Sequence, residues 1–278
     1  MARVTVLPNG VTASYPRFGP IDGDPPKRGA IGGWSVKTTR RLRRWFYSVD
    51  GDALDGHGYA STLTVRDLPP SARAWGATRD RFIRRLRREG LVRGQHLTEF
   101  QRRRVPHLHG CIFLPEPGLE ELVVEHWLEA AAEWRPAAGS QVVKALWGLP
   151  GWLQYQAKHS VRGVRHYQRA NLPPEWRTGT GKLWGVLGDW PVREERLNLD
   201  NRTFWRFRRT LRSYLLSQAR RDALTTGKYG RVAFLRRMLA DPERARSAVR
   251  AVGEFCPEAV SWQLLHASML DLPHDQRT

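Results

Sequence analysis

The chain has 278 residues, 41% of them hydrophobic, which is enough for one large domain or for a catalytic domain with a smaller appendage. Its 46 Lys and Arg against 27 Asp and Glu leave a formal charge of +19, more than an enzyme of neutral substrates needs, and imply a polyanionic partner, most simply nucleic acid. Two distant cysteines, Cys111 and Cys256, exclude a disulfide scaffold and a Cys-rich zinc module and fit a reducing cytoplasm; no apolar run reaches membrane-spanning length, and Met1 to Leu7 does not read as a signal peptide.

Residues 1–33 are rich in Gly and Pro and are predicted to be an irregular leader. Trp34 to Val49 reads as a helix, with Leu42, Trp45, Phe46 and Val49 as its apolar stripe and Arg40, Arg41, Arg43 and Arg44 on the remaining surface. A Thr-rich strand follows from Tyr59 to Val65 and stops before Pro69-Pro70. Ser71 then caps a helix running to Glu89, with Trp75, Phe82, Ile83 and Leu86 inward and six arginines from Arg79 to Arg88 around them. Gly90 is its C-terminal stop.

Glu99 to Leu114 reads as two strands joined by the basic turn Arg102-Arg103-Arg104. Alternate side chains of a strand share a face, so His107 and His109 point one way while Leu108, Ile112 and Leu114 point the other. If Glu99 pairs opposite His107, a carboxylate joins two imidazoles, an open ligand set suited to Mg²⁺, Mn²⁺ or Zn²⁺ as a Lewis acid. Cys111 falls on the histidine face and is a further conceivable ligand.

Leu119 to Trp134 is an acidic helix, expected to face away from nucleic acid. Gln141 to Leu146 is a short strand. Pro150 opens a helix to about Ser160, on which Tyr155 and Lys158, three apart, share a face. His159 to Arg169 is basic without a period, Leu183 to Val186 is a last short strand, and Asp189 to Pro191 marks a boundary. From Asn201 the chain reads as basic and helical: Phe204, Phe207, Leu211 and Leu215 face inward, flanked by Arg202, Arg206, Arg208, Arg209 and Arg212. Further helices are predicted near Val232 to Leu239 and Ala248 to His266. The sequence has no internal repeat and no Walker A motif.

This order predicts an α+β fold: a central antiparallel sheet of about five strands in a split β-α-β arrangement, helices on one face, the histidine face open, and a helical C-terminal region. The expected domains are a leader at 1–33, a catalytic domain at 34–195 and a basic helical region at 196–278.

His107-Leu-His109, Tyr155-Gln-Ala-Lys158 and the strand around Thr62-Leu63-Thr64, in this order, resemble the HUH endonucleases, and among them the rolling-circle replication initiators of plasmids and single-stranded-DNA phages. The resemblance covers roughly Ser35 to Pro191. It implies a divalent ion, Mg²⁺ or Mn²⁺, on His107, His109 and Glu99, with Gln101 as the alternative third ligand. Tyr155 becomes the nucleophile toward single-stranded origin DNA, giving a 5′-phosphotyrosine and a free 3′-hydroxyl, and Lys158 holds a phosphate. Position 159, four residues on, is His, so the helix carries a single tyrosine; Tyr167 is the further candidate for a second. Expected DNA contacts are Arg102, Arg103, Arg104, Arg84, Arg88, Arg162 and Arg165, and a host helicase and polymerase are the further partners implied, in a bacterial cytoplasm. A transposase-like or mobilisation nickase, and a non-catalytic basic nucleic-acid binder, are the competing readings.

Overall fold

The alternating apolar residues Val4, Val6, Val11 and Ala13 make the first element a hairpin rather than an irregular leader. In the computed structural model, which describes residues 1–14, 31–160, 162–233, 236 and 252–270, the chain runs β1 (Ala2–Leu7), β2 (Gly10–Ser14), α1 (Val36–Ser48), β3 (His57–Thr64), α2 (Ala72–Arg88), β4 (Arg93–Phe100), β5 (Pro106–Leu114), α3 (Glu120–Ala130), β6 (Val142–Leu146), α4 (Gly148–Ser160), α5 (Tyr167–Ala170), β7 (Trp184–Leu187), β8 (Glu195–Leu199), α6 (Asn201–Thr226), β9 (Val252–Phe255) and α7 (Glu258–Met269). Its contacts fall into two units: Asp24–Phe46 with Asp50–Pro191, and Met1–Gly23 with Tyr47–Val49 and Val192–Thr278. Among the described residues no helix is long and apolar enough to cross a membrane.

The first unit is built on an antiparallel five-stranded sheet in the order β6-β3-β5-β4-β7. Every residue of β5 is buried, as a strand covered on both faces must be. On one face lie α2 and α3. Ser71 caps α2 by accepting from the Ala74 amide at 3.1 Å, and Gly90, at φ +78, ends it. Trp127 of α3 is fully buried, edge-on to Trp75 and Phe82 at 5.7 and 5.5 Å. The indole N–H groups are satisfied by strands: Trp75 donates to Thr98 Oγ1 and Trp127 to the Thr64 carbonyl, both at 3.0 Å.

The histidine face, expected to be open, is covered instead. Trp152 and Tyr155 of α4 turn onto it, Trp152 meeting Phe46 of α1 at 5.7 Å. The reason is that Leu97, Cys111 and Phe113 share this face with the histidines, and leaving their apolar surface wet costs about 25 cal/mol per Å². Glu99, His107 and His109 are therefore buried with them.

The second unit corrects both ends of the expected layout. β1 and β2 join through the two-residue turn Pro8-Asn9, with Leu7 opposite Gly10. Residues 15–30 of the expected leader lie outside the described residues. The C-terminal region, expected to be helical, does carry α6 and α7, and it also contributes β8, which pairs with β1, and β9, which pairs with β2, completing the order β8-β1-β2-β9. β8 begins at Glu195, inside the expected catalytic domain, and β9 occupies part of the helix expected from Ala248; the helix expected at Val232 to Leu239 lies largely outside the described residues. The core joins Val4, Val6 and Val11 to Phe204, Phe207, Leu211 and Leu215 of α6 and Leu265 of α7. Arg208, expected on a flank, is buried over the Trp205 ring at 5.0 Å, and burial lowers its pKa to about 10.

Candidate metal and nucleophile site

The β4–β5 register places Glu99 opposite His107, Leu97 opposite His109 and Gln95 opposite Cys111. The tight turn between the strands is closed by the Gln101 amide donating to the Val105 carbonyl at 2.9 Å, with Arg104 at φ +65. Alternation then puts Gln95, Glu99, His107, His109 and Cys111 on one face. From β3, Thr62 stands opposite His109, and its hydroxyl lies 3.0 Å from His109 Nδ1. That contact orients the ring so that Nε2 lies 3.4 Å from a Glu99 oxygen, out of hydrogen-bond alignment and otherwise unpartnered.

The third side chain at this point comes from α4. One ligand atom each from Glu99, His109 and His159 lies within 4.8 Å of the other two, the one such cluster of His, Cys, Asp or Glu among the described residues. His107 stands beside it rather than in it: its ring is 4.4 Å from that of His109, and its Nε2 lies 3.3 Å from the Gln168 amide nitrogen. Gln101 accepts from Arg103 at 2.7 Å and belongs to the turn. Cys111 is fully buried, its thiol held protonated by burial, and takes no part in the cluster. His159 was legible in outline: it follows Tyr155 by four residues, the spacing that shares a helix face. In the sequence the position stood out only as the place where a second tyrosine is absent.

Two arginines hold the carboxylate. Arg162 donates to Glu99 and lies 3.3 Å from His159 Nδ1. Arg169 is buried; its Nε donates to Glu99 at 3.2 Å, another nitrogen donates to the His159 carbonyl at 2.8 Å, and its guanidinium lies 4.3 Å over the Trp34 ring. Burial opposes the charge on Glu99, but His109, Arg162 and His159 hold its carboxyl well below the usual range. Burial pushes His107 down to about 3 and depresses His109 and His159, so these imidazoles are neutral near pH 7, the form that ligates metals.

Tyr155 lies on the same side of the sheet. Its ring is 4.7 Å from that of His159, and its hydroxyl donates to Gln95 Oε1 at 2.8 Å. Burial raises its pKa well above the ordinary phenol value, outweighing Arg162, which acts the other way. Tyr155 and Lys158 do not share an environment. Tyr155 is buried with His159, whereas Lys158 is exposed, its pKa lowered by partial burial and by Arg162.

The other expected DNA contacts scatter. Arg102 is exposed and stacks over Tyr167 at 5.5 Å; Arg104 and Arg165 are exposed. Arg103 is fastened to the Val65 carbonyl at 2.7 Å and to that of Arg66, tying the turn down. Arg84 and Arg88 lie on α2, which covers the opposite face of the sheet from the histidines.

Over 237 residues, 83% of this chain and 84% of its counterpart, the protein is 37% identical to a replication-associated protein of Pseudomonas phage Pf3. It is 41% identical over 236 residues to each of two Xylella fastidiosa proteins named as putative replication proteins, from strains Temecula1 and 9a5c. Those alignments cover 81% of this chain and 88% and 81% of the two relatives. No family model matches the chain, and no solved structure matches it.

Proposed function

This chain belongs to the family of phage and bacterial replication proteins that includes the Pf3 protein, and from that premise we propose that it starts rolling-circle replication as an HUH-type nickase of single-stranded origin DNA. The observation that carries the reading is the convergence of Glu99, His109 and His159 on the sheet face to which Tyr155 also turns. One carboxylate and two neutral imidazoles, with His109 Nε2 buried, 3.4 Å from Glu99 and without an aligned hydrogen bond, fit a divalent ion such as Mn²⁺ or Mg²⁺. When bound, the ion supplies Lewis-acid polarisation of a phosphate oxygen.

The chain's own residues do the rest. Thr62 fixes the His109 ring, and Arg169 holds Glu99 and His159 in one frame. Burial keeps the Tyr155 phenol protonated at rest, with its hydroxyl donating to Gln95. For reaction, the Tyr155 oxygen leaves Gln95 and bonds to phosphorus as the bond to the 3′ oxygen breaks. The phenolic proton passes, through water, to the departing 3′ oxygen, so a phosphotyrosine and a 3′-hydroxyl result. One phosphodiester replaces another, so no nucleoside triphosphate is consumed, and the linkage can later be rejoined. Lys158, exposed in the last turn of α4, supplies positive charge for the DNA backbone. The 3′-hydroxyl then serves a host polymerase, with a helicase opening the duplex, in the bacterial cytoplasm.

A second reading, a non-catalytic nucleic-acid binder, draws on the arginines that already occupy Glu99 and on the buried phenol. Mn²⁺ binding followed by electron paramagnetic resonance separates the two. The wild type should bind the ion, His159→Ala should weaken binding at least tenfold, and His107→Ala should weaken it less. Absence of Mn²⁺ binding by the wild type would leave only the binder.

A further inference from the structure

We propose that Tyr167 is a shelf on which a base of single-stranded DNA stacks beside the candidate centre. The proposal rests on the single-stranded-DNA part of the preceding reading and not on its chemistry. Tyr167 is 48% exposed, so much of its ring surface is open to a ligand, and two side chains lie against it. The His166 ring lies 4.8 Å from it at an interplanar angle of 34°, and the Arg102 guanidinium lies 5.5 Å over it.

The two segments are stitched together. Asn171, at the end of α5, donates to the Arg102 carbonyl at 2.8 Å and to that of Gln101, so the β4–β5 turn is fixed against the helix that bears Tyr167. The next two residues reach the centre itself: Gln168 lies against His107, and Arg169 pairs with Glu99. Tyr167 is thus the residue just before two that contact the centre.

The surroundings select the ligand. Arg102 lies over the ring, Arg165 is two residues before it and Arg104 two residues after Arg102, all exposed, so the neighbourhood attracts a polyanion and disfavours a basic peptide. Nucleobases offer a flat π face whatever their sequence, and a cation beside an aromatic platform is the common arrangement of single-strand grooves. Stacking needs the ring and not the hydroxyl. This separates a shelf from a second nucleophile, the role that the sequence alone raised for Tyr167.

The test measures binding of fluorescently labelled oligothymidylate, and of an abasic strand of equal length, to the full chain without divalent ions. The wild type should prefer the strand with bases. Tyr167→Ala should lose about tenfold in affinity for oligothymidylate, abolish that preference and leave the slope of log K against log salt unchanged. Tyr167→Phe should keep both affinity and preference. Equal binding of oligothymidylate by Tyr167→Ala and the wild type would overturn the shelf, as would a loss in Tyr167→Phe matching that in Tyr167→Ala. Because no cleavage is read, a failure of the nickase chemistry would leave this result standing on its own.

Discussion

Arg169 is the side chain whose loss should most disturb the centre without touching its ligand atoms. Its guanidinium is wholly buried and makes three kinds of contact: the ion pair with Glu99, donations to the His159 and Arg162 carbonyls, and the face of Trp34. Breaking a buried ion pair by removing one partner costs about 3–5 kcal/mol, because the other charge stays buried. Here Arg162 and His109 still face Glu99, which puts the ionic loss at the low end. The orphaned His159 carbonyl and the lost cation–π contact add about 1–2 kcal/mol together. Arg169→Met should therefore cost about 4 kcal/mol in urea unfolding followed by tryptophan fluorescence. Glu99→Gln removes the charge that Arg169 balances, so the double variant should be less destabilised than the sum of the singles, with a coupling of about 1–3 kcal/mol. A loss below about 1 kcal/mol in Arg169→Met, or strict additivity in the cycle, would refute the claim that this guanidinium frames the centre.

Acid should weaken the fold earlier than carboxylates alone require. His107 and His96 are depressed to about 3 by burial, and His109 and His159 are depressed too. The unfolded chain takes up protons near pH 6.5 while the folded chain resists until far lower, so stability falls as pH drops through that window, by up to about 1.4 kcal/mol per unit for each such histidine. Glu99, with its folded pKa lowered, adds a further loss only below about pH 4.3, the unfolded value. A urea midpoint flat between pH 7 and 5 would contradict the neutral buried imidazoles. Trp127→Ala should cost about 3–5 kcal/mol, since its ring is the contact shared by Trp75 and Phe82; a loss of under about 1 kcal/mol in thermal unfolding would show that α2 and α3 do not depend on it.

The helical stripes of α2 and α6 were plain in the sequence because apolar residues recur at helical spacing with nothing competing, and Trp75, Phe82, Ile83 and Leu86 are all buried or nearly so. The β4–β5 register was legible because a short turn leaves little freedom: pairing Glu99 with His107 also brings Phe100 opposite Pro106. The N-terminal hairpin was masked by composition, since five prolines before residue 27 drew attention from the alternation of Val4, Val6 and Val11. Its partners β8 and β9 lie about two hundred residues away, a distance over which no local pattern speaks. Arg169 was missed for a related reason. A charged residue in a basic, aperiodic stretch reads as solvated, and only the fold reveals that Glu99 stands within its reach. The arginines named for DNA contact met the same limit: sequence supplies charge, but tertiary packing sends Arg103 to backbone carbonyls and Arg84 and Arg88 to the other side of the sheet.

If Tyr155 is the nucleophile, mass spectrometry reads its bond to DNA directly. After incubation with single-stranded origin DNA and Mn²⁺, followed by nuclease and protease digestion, the peptide containing Tyr155 should carry a nucleotide through its tyrosine oxygen, and Tyr155→Phe should yield no adduct. An adduct on Tyr167 or elsewhere in the wild type, or an undiminished adduct in Tyr155→Phe, would contradict the account.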